Sequence, residues 1–280
     1  MGQINIIGHV NPDVDSIISG YLLQEYLKYK NLDASFIIPD KRIDKDTEEI
    51  IKEFGLNYRE FKKDIIADDI ILVDNHETNL SKNILGIIDH HPPFYNKGYY
   101  INIKASATAK IIYDIIIKNG DKEFLNKRHY ELIFLAIIID TDNFRNPKAI
   151  IEDKEFIKEY SKIHSINLSK MYKLADKITD LSDLTKAIYH GKKEYKINDK
   201  SVKASYITIN SFDELMEKSL IELINKNLPK DCFLWIFMIV NIKENKTILY
   251  EVYKEHYLKS NFDRVLSRGT DVIPMITKKI

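Results

Sequence analysis

Ile4-Asn5-Ile6-Ile7-Gly8-His9-Val10-Asn11-Pro12-Asp13-Val14-Asp15-Ser16 places a β-branched run, a Gly/Asn-Pro turn and an acidic helix start in direct succession. Strand, turn and helix in that order open a βαβ unit of a parallel sheet. The rhythm continues outward from it. Helical periodicity covers residues 16–30, a strand-like run 34–38, a helix 47–54 and a further strand 70–73. Apolar runs at 84–88 and 132–139, with a helix at 107–118 between them, are read as the fourth and fifth strands. Runs that are apolar throughout suit strands covered on both faces by helices. The fold class expected is therefore α/β, with a parallel-sheet domain over residues 1–180. The boundary is placed at Thr179-Asp180-Leu181-Ser182. Beyond it, strands at 194–198, 202–209, 233–240 and 247–253 and a helix at 213–227 predict a smaller mixed α/β domain over 181–280. The first pair of these strands is joined at Asp199-Lys200-Ser201. This domain is expected to close over the first, with the site in the cleft between them.

The residues able to ligate metal fall just after expected strands: His9, Asp13 and Asp15 after the first, Asp74 after the third, Asp89-His90-His91 after the fourth and Asp140 after the fifth. In an open parallel sheet those positions share one crevice. Carboxylates packed together repel one another unless cations neutralise them. Oxygen and imidazole donors without thiolate suit Mn²⁺, Co²⁺, Fe²⁺ or Zn²⁺ better than a site of oxygens alone. So many ligands exceed the need of one open metal and suit two ions about 3.5–4 Å apart, which acidify a bridging water for attack on phosphorus.

Plainer readings exist for each piece. Asn11-Pro12-Asp13 is also a turn signal before a helix, with Asp15 or Ser16 as its cap. A lone Asp140 at a strand end is more often a cap or turn residue. His76-Glu77 opens like a zincin motif, but Leu80 stands where the second histidine is required, leaving His76 as an outer or surface residue. Phosphate-cradling glycine loops and the serine-hydrolase elbow are absent from the sequence. Cys232 and Trp235 read as core residues, and the 17 tyrosines as packing and surface.

The length accommodates two domains, each with its own core. Lys plus Arg equal Asp plus Glu at 42 each, so no overall field serves a long polyanion or an acidic membrane. A single cysteine excludes an internal disulfide and a cysteine-rich zinc module. With no signal-like stretch and no apolar run near the roughly 20 residues of a membrane span, a soluble, unprocessed, cytoplasmic chain is expected.

Asp89-His90-His91 and Gly8-His9-Val10-Asn11-Pro12-Asp13-Val14-Asp15-Ser16 resemble the DHH phosphoesterases, and among them the manganese-dependent family II inorganic pyrophosphatases and related exopolyphosphatases. Asp140-Thr141-Asp142-Asn143-Phe144-Arg145-Asn146-Pro147 is similar to their Asp-x-x-x-Phe-Lys-x-Pro block. Lys193-Glu194-Tyr195 and residues 267–274 are similar to motifs of their small domain. The resemblance implies that His9 and Asp13 hold one metal, Asp15, His90 and Asp140 the other, and that Asp74 bridges them. It implies that His91 contacts the substrate phosphate and protonates the leaving group, while Lys193 and Arg268 clamp the phosphate. Taken as residues alone, those two cations read as solvated surface charges. The implied cofactor is Mn²⁺, two per site, with Co²⁺ or Mg²⁺ as alternatives. The implied partner is a small phosphate compound rather than nucleic acid or membrane, in a chain that dimerises through its large domain.

Two departures stand out. The family follows its terminal arginine with two lysines, whereas this chain has Gly269 and Thr270. The family's Val-Asp-His-Asn-Glu stands here as Val73-Asp74-Asn75-His76-Glu77. Pyrophosphate hydrolysis is the leading expectation. Polyphosphate or another small phosphate ester is an alternative substrate. The oligonucleotide-degrading branch is disfavoured, since only Gly191 and Gly269 follow residue 180. A non-catalytic, ligand-sensing protein is the reading from outside enzymology.

Overall fold

The computed structural model describes residues 3–39, 43, 45–60, 69–76, 83–92, 95–175, 179, 181–211 and 214–280. The chain divides into two compact units, Met1–Phe144 with Lys148–Ala175, and Arg145–Pro147 with Asp176–Ile280. Glu77, Leu80 and Asp180, which entered the sequence readings, lie outside the described residues.

The first unit is built on strands β1 (Ile4–Ile7), β2 (Ala34–Ile38), β3 (Arg59–Glu60), β4 (Asp69–Val73), β5 (Ile84–Asp89), β6 (Tyr95–Lys97) and β7 (Tyr100–Asn102), in the spatial order β3-β2-β1-β4-β5-β7-β6. All neighbours pair in parallel except the edge hairpin β6–β7. From β1 the sheet grows one way through β2 and the other way through β4. Ile7 thus faces Ile37 on one side and Leu72 on the other. That reversal of order is where an open α/β sheet leaves a crevice at its strand C-termini.

Helices α1 (Val14–Tyr29), α2 (Lys45–Phe54), α3 (Thr108–Lys118), α4 (Lys127–Asp140), α5 (Ile151–Ile163) and α6 (Leu168–Ala175) complete the unit. The core joins Ile4, Ile6, Phe36, Val73 and Ile88 of the strands to Ile17, Ile18, Leu22, Ile112 and Ile116 of α1 and α3, and to much of α4. Gly20 of α1 sits against the Phe36 ring, in a space that an added Cβ would need.

The run 132–139 is not a strand. It lies inside α4, where Leu132, Ile133, Phe134, Leu135, Ala136, Ile137 and Ile138 are all fully buried. A helix that is apolar all round and a strand buried on both faces present the same unbroken hydrophobic string, so periodicity cannot separate them. The deciding signal lies upstream at Asn126, whose side chain accepts from His129 N at 3.2 Å and starts a helix. Asn126→Ala is expected to destabilise the protein by about 1 kcal/mol, the usual value of an N-cap, read as a lower urea midpoint at constant slope. Helix α5, strands β3, β6 and β7, and the last strand of the second unit were not anticipated.

The second unit is a five-stranded mixed sheet: β8 (Lys193–Ile197), β9 (Lys200–Ile209), β10 (Leu234–Asn241), β11 (Lys246–Val252) and β12 (Tyr257–Phe262), in reverse order across the sheet. Its one parallel pair, β9 and β10, is separated in the chain by α8 (Glu214–Lys226), as a parallel crossover requires. A short helix α7 (Leu184–Ala187) precedes β8, and α9 (Ile273–Thr277) ends the chain. The hairpin turn falls on Asn198 and Asp199, with φ of 46° and 62°, one position before the expected turn. Left-handed conformations at both central residues suit a two-residue hairpin loop. Strand β10 is buried on both faces. Trp235, Phe237 and Ile239 pack with Leu220 and Ile224 of α8, while Leu234, Ile236 and Met238 pack with Val265, Val272 and Ile276. Cys232 is buried, and the Trp235 indole donates to Ser205 Oγ at 2.8 Å, so both are core residues.

Candidate metal centre

His9 follows β1, Asp74 follows β4, and Asp89-His90-His91 ends β5, so three neighbouring strands deliver side chains to one edge of the sheet. Asp13 is the N-cap of α1 and accepts from Ser16 N at 3.3 Å. The turn before the helix stands as read from Asn11-Pro12-Asp13, but its cap is Asp13 rather than Asp15 or Ser16, both of which lie inside α1. Asp140 arrives as the last residue of α4, not from a strand. The carbonyl end of a helix is an unfavourable place for an anion, so this carboxylate needs a cation nearby.

These residues form three overlapping groups whose donor atoms lie within 4.8 Å of one another: His9, Asp13 and Asp74; Asp74, His90 and His91; and Asp15, His90 and Asp140. Asp74, expected to bridge, belongs to two of them. His9 Nε2 stands 3.3 Å from Asp13 Oδ2 and 3.4 Å from Asp74 Oδ2. Thr108 Oγ1 donates to Asp74 Oδ1 at 3.1 Å. The Asp74 backbone has φ of 54°, a left-handed conformation that Asp and Asn tolerate better than other side chains.

His90 carries the clearest evidence of a cation site. Its Nδ1 lies 3.1 Å from the Ala105 carbonyl, which can only accept, so Nδ1 carries the proton and Nε2 presents a lone pair. Burial and the Lys148 charge lower its pKa, against the pull of Asp140 and Asp74, and keep the ring neutral. Yet Nε2 is buried with no hydrogen-bond partner and is surrounded by Asp140 Oδ2 at 3.3 Å, Asp74 Oδ1 at 3.4 Å and Asp15 Oδ2 at 3.8 Å. A lone pair aimed at carboxylates is repulsive unless a cation lies between them. Ligands each about 2.0–2.2 Å from a shared ion are spaced in this way. Donor chemistry and spacing therefore fit a divalent ion bound by oxygen and imidazole.

Asp15 has a second task. Although it lies on α1, its carboxylate accepts from Thr108 N at 2.7 Å and Ala109 N at 3.1 Å, the opening N–H groups of α3, and from Ser19 Oγ at 3.1 Å. Ala107, the N-cap of α3, makes no side-chain cap of its own. Burial, with Asp74 and Asp140 nearby, raises the Asp15 pKa well above the carboxylate range, so the anion is strained without a cation. Burial also acts to raise Asp74. There, hydrogen bonding from His9 and the charge of His91 outweigh it, and the net shift is downward.

Asp89, counted in the sequence among the residues able to ligate metal, belongs to none of the three groups. Fully buried, it accepts from His90 N at 2.8 Å and His91 N at 3.2 Å, and pairs with His91 Nδ1 at 2.9 Å and with His76 Nδ1. Burial would raise its pKa, but the bonds from His76 and His91 hold it far below the usual carboxylate range. His91 is the most exposed ring of the group. Burial works against its proton, yet Asp89 and Asp74 prevail and its pKa is raised. Lys148 was missed. Its Nζ lies 2.7 and 2.8 Å from the two carboxylate oxygens of Asp140, which overcome burial and raise its pKa.

In the second unit, Lys193 opens β8 opposite Ala204, and Arg268 begins a π-helical turn, Arg268–Val272. The Arg268 guanidinium donates to the Gly191 carbonyl and lies 5.6 Å from the Tyr206 ring centroid. Gly191 has φ of 59° and abuts the same ring, where a side chain would be both strained and obstructed. An added Cβ at Gly269 meets nothing within 4 Å.

Residues 3–137 match the model of the "DHH family, N-terminal domain". The chain is 27% identical to a Clostridium acetobutylicum protein named "Probable manganese-dependent inorganic pyrophosphatase", covering 99% of this chain and 98% of the relative. It is 25% identical to the "Manganese-dependent inorganic pyrophosphatase" of Methanocaldococcus jannaschii, over 98% of each. A solved Methanococcus jannaschii structure described as of family II inorganic pyrophosphatase type superposes with a TM-score of 0.78 over 99% of both chains at 23% identity, a likeness of fold. With carboxylates and imidazoles at its strand ends, the first unit of this chain matches the DHH-family N-terminal domain over residues 3–137.

Proposed function

We propose that this chain hydrolyses pyrophosphate to two phosphates at a two-metal centre, with Mn²⁺ as the cofactor. The observation that carries the reading is the neutral, buried His90 Nε2 facing Asp15, Asp74 and Asp140, and the names of the full-length relatives support the substrate. His9 and Asp13 hold one ion, Asp15, His90 and Asp140 the other, and Asp74 serves both. Bound divalent ions supply Lewis acidity at phosphoryl oxygens and bring the pKa of water towards neutrality. His91, held protonated by Asp89, meets the phosphate and gives its proton to the leaving oxygen. Asp89 positions that ring and fixes the turn carrying His90. With a catalytic domain over 1–180 and a clamping domain over 181–280, Lys193 and Arg268 of the latter bind the phosphate away from the metals. Arg supplies a planar fork and Lys a point charge. No helix among the described residues is long and apolar enough to cross a membrane. A cytoplasmic enzyme, working as a homodimer on a small phosphate compound, completes the proposal.

Open space at Gly269, where two lysines would densify the clamp, favours one second reading: a less compactly charged substrate such as polyphosphate or a phosphate ester. A phosphate-release assay with Mn²⁺ or Co²⁺ across pyrophosphate, tripolyphosphate, long polyphosphate, nucleoside phosphates and a dinucleotide decides between them. Pyrophosphate is expected to be the best substrate, and silence on all of them removes the enzyme reading. Gly269→Lys is expected to lower KM for pyrophosphate by about tenfold, the effect of one well-placed charge-assisted contact. An unchanged KM would place Arg268 away from the phosphate.

A further inference from the structure

Lys148 brings a fixed positive charge onto a carboxylate of the metal centre. Both oxygens of Asp140 are engaged by its ammonium, at 2.7 and 2.8 Å, and the pair is largely buried, with side-chain exposures of 14% and 16%. The same Asp140 Oδ2 faces His90 Nε2 at 3.3 Å, and Asp15 Oδ2 lies 3.8 Å from that nitrogen. We propose that Lys148 is a tethered competitor for the divalent ion of the Asp15–His90–Asp140 group, so that loading this position requires the ammonium to yield Asp140. The inference rests on the two-metal reading above.

The physical case has two sides. Without an ion, Asp140 sits at the carbonyl end of α4 beside Asp15 and Asp74, and Lys148 supplies the neutralising charge that the fold needs there. With an ion, Asp140 serves two cations that repel each other across one carboxylate, and a partly buried ion pair must be loosened before the metal gains its ligand. The competitor is covalently tethered, so it cannot be diluted away. The affinity of this position is thereby set low enough to respond to the metal supply. The ammonium must be displaced whichever ion binds, so the penalty falls on every divalent ion by the same factor. The sequence carries no hint of this, because Lys148 follows Pro147 in what reads as a loop.

The test is a Mn²⁺ titration of the full-length, metal-stripped protein, with free ion counted by electron paramagnetic resonance. Wild type is expected to bind two ions, one more weakly. Lys148→Gln is expected to bind the weaker ion about tenfold more tightly, within the range by which residues behind metal ligands tune affinity, and to leave the tighter ion unchanged. Lys148→Arg, which keeps the charge, should retain the weak site. Lys148→Met preserves the buried stem and gives the same result as Gln, providing the measurement if the polar variant does not fold. If Gln and Met bind Mn²⁺ no more tightly than wild type, or more weakly, Lys148 only holds Asp140 in place and the competition is refuted. If wild type binds fewer than two ions, the two-metal reading fails and this inference fails with it.

Discussion

Asp74→Asn is expected to bind less than one Mn²⁺ per chain tightly and to lose at least about a thousandfold in phosphate release, roughly 4 kcal/mol of transition-state stabilisation. The size of the effect follows from shared membership. Asp74 lies with His9 and Asp13 in one group and with His90 and His91 in another, so a single change damages both halves. Asn is the informative replacement because Asp74 has φ of 54°, a conformation Asn accepts readily. Its Oδ1 can still accept from Thr108 Oγ1. Asp74→Ala loses the ligand, adds backbone strain and should be less stable as well. Metal content by mass spectrometry beside a pyrophosphate assay checks the result. Near-normal turnover in Asp74→Asn would end the shared-ligand model.

Asp15 offers a second large effect, in stability rather than activity. In metal-stripped protein Asp15→Ala is expected to cost about 2–4 kcal/mol, since Thr108 N and Ala109 N lose their acceptor in a buried place and α3 has no other side-chain cap. Asp15→Asn keeps one acceptor oxygen, loses the second that the carboxylate turns to α3, and removes a charge that burial, Asp74 and Asp140 all oppose. It should therefore cost less than Asp15→Ala without metal, while binding the ion of the Asp15–His90–Asp140 group poorly. Urea unfolding in the presence of chelator separates the two variants. Equal midpoints would show that the carboxylate does not support α3.

The candidate metal-binding residues were legible as a cluster because most are chemically costly residues at the end of an apolar run, and such ends converge in a parallel sheet. His9, Asp74 and His90 follow that rule. Asp140 was found for the wrong reason. Its run is a buried helix, and only Asn126, outside the hydrophobic string, distinguishes helix from strand. The roles of Asp89 and Lys148 were illegible, since both depend on partners fixed by tertiary geometry. Asp89 is written into the family's name yet serves as the acceptor that shapes its own turn. His76, expected as an outer residue, proves to be a partner of Asp89. The hairpin β6–β7 and strand β12 escaped notice because edge strands are short or polar and lack the apolar pattern on which strand recognition depends.

The strand order of the first unit also governs when its metal centre can exist. His9, Asp74 and His90 are brought side by side only through parallel pairings of β1 with β4 and β4 with β5, and Asp140 joins once α4 has docked. No local fragment holds the set, so the unfolded chain offers an ion little. Metal is then a ligand of the native state alone, adding about 2.7 kcal/mol per site at a hundredfold excess over Kd. Parallel, non-local pairing is also slow to form. Refolding should therefore recover the sheet before it recovers metal, and chelation should shorten the lifetime of a native state that took long to assemble.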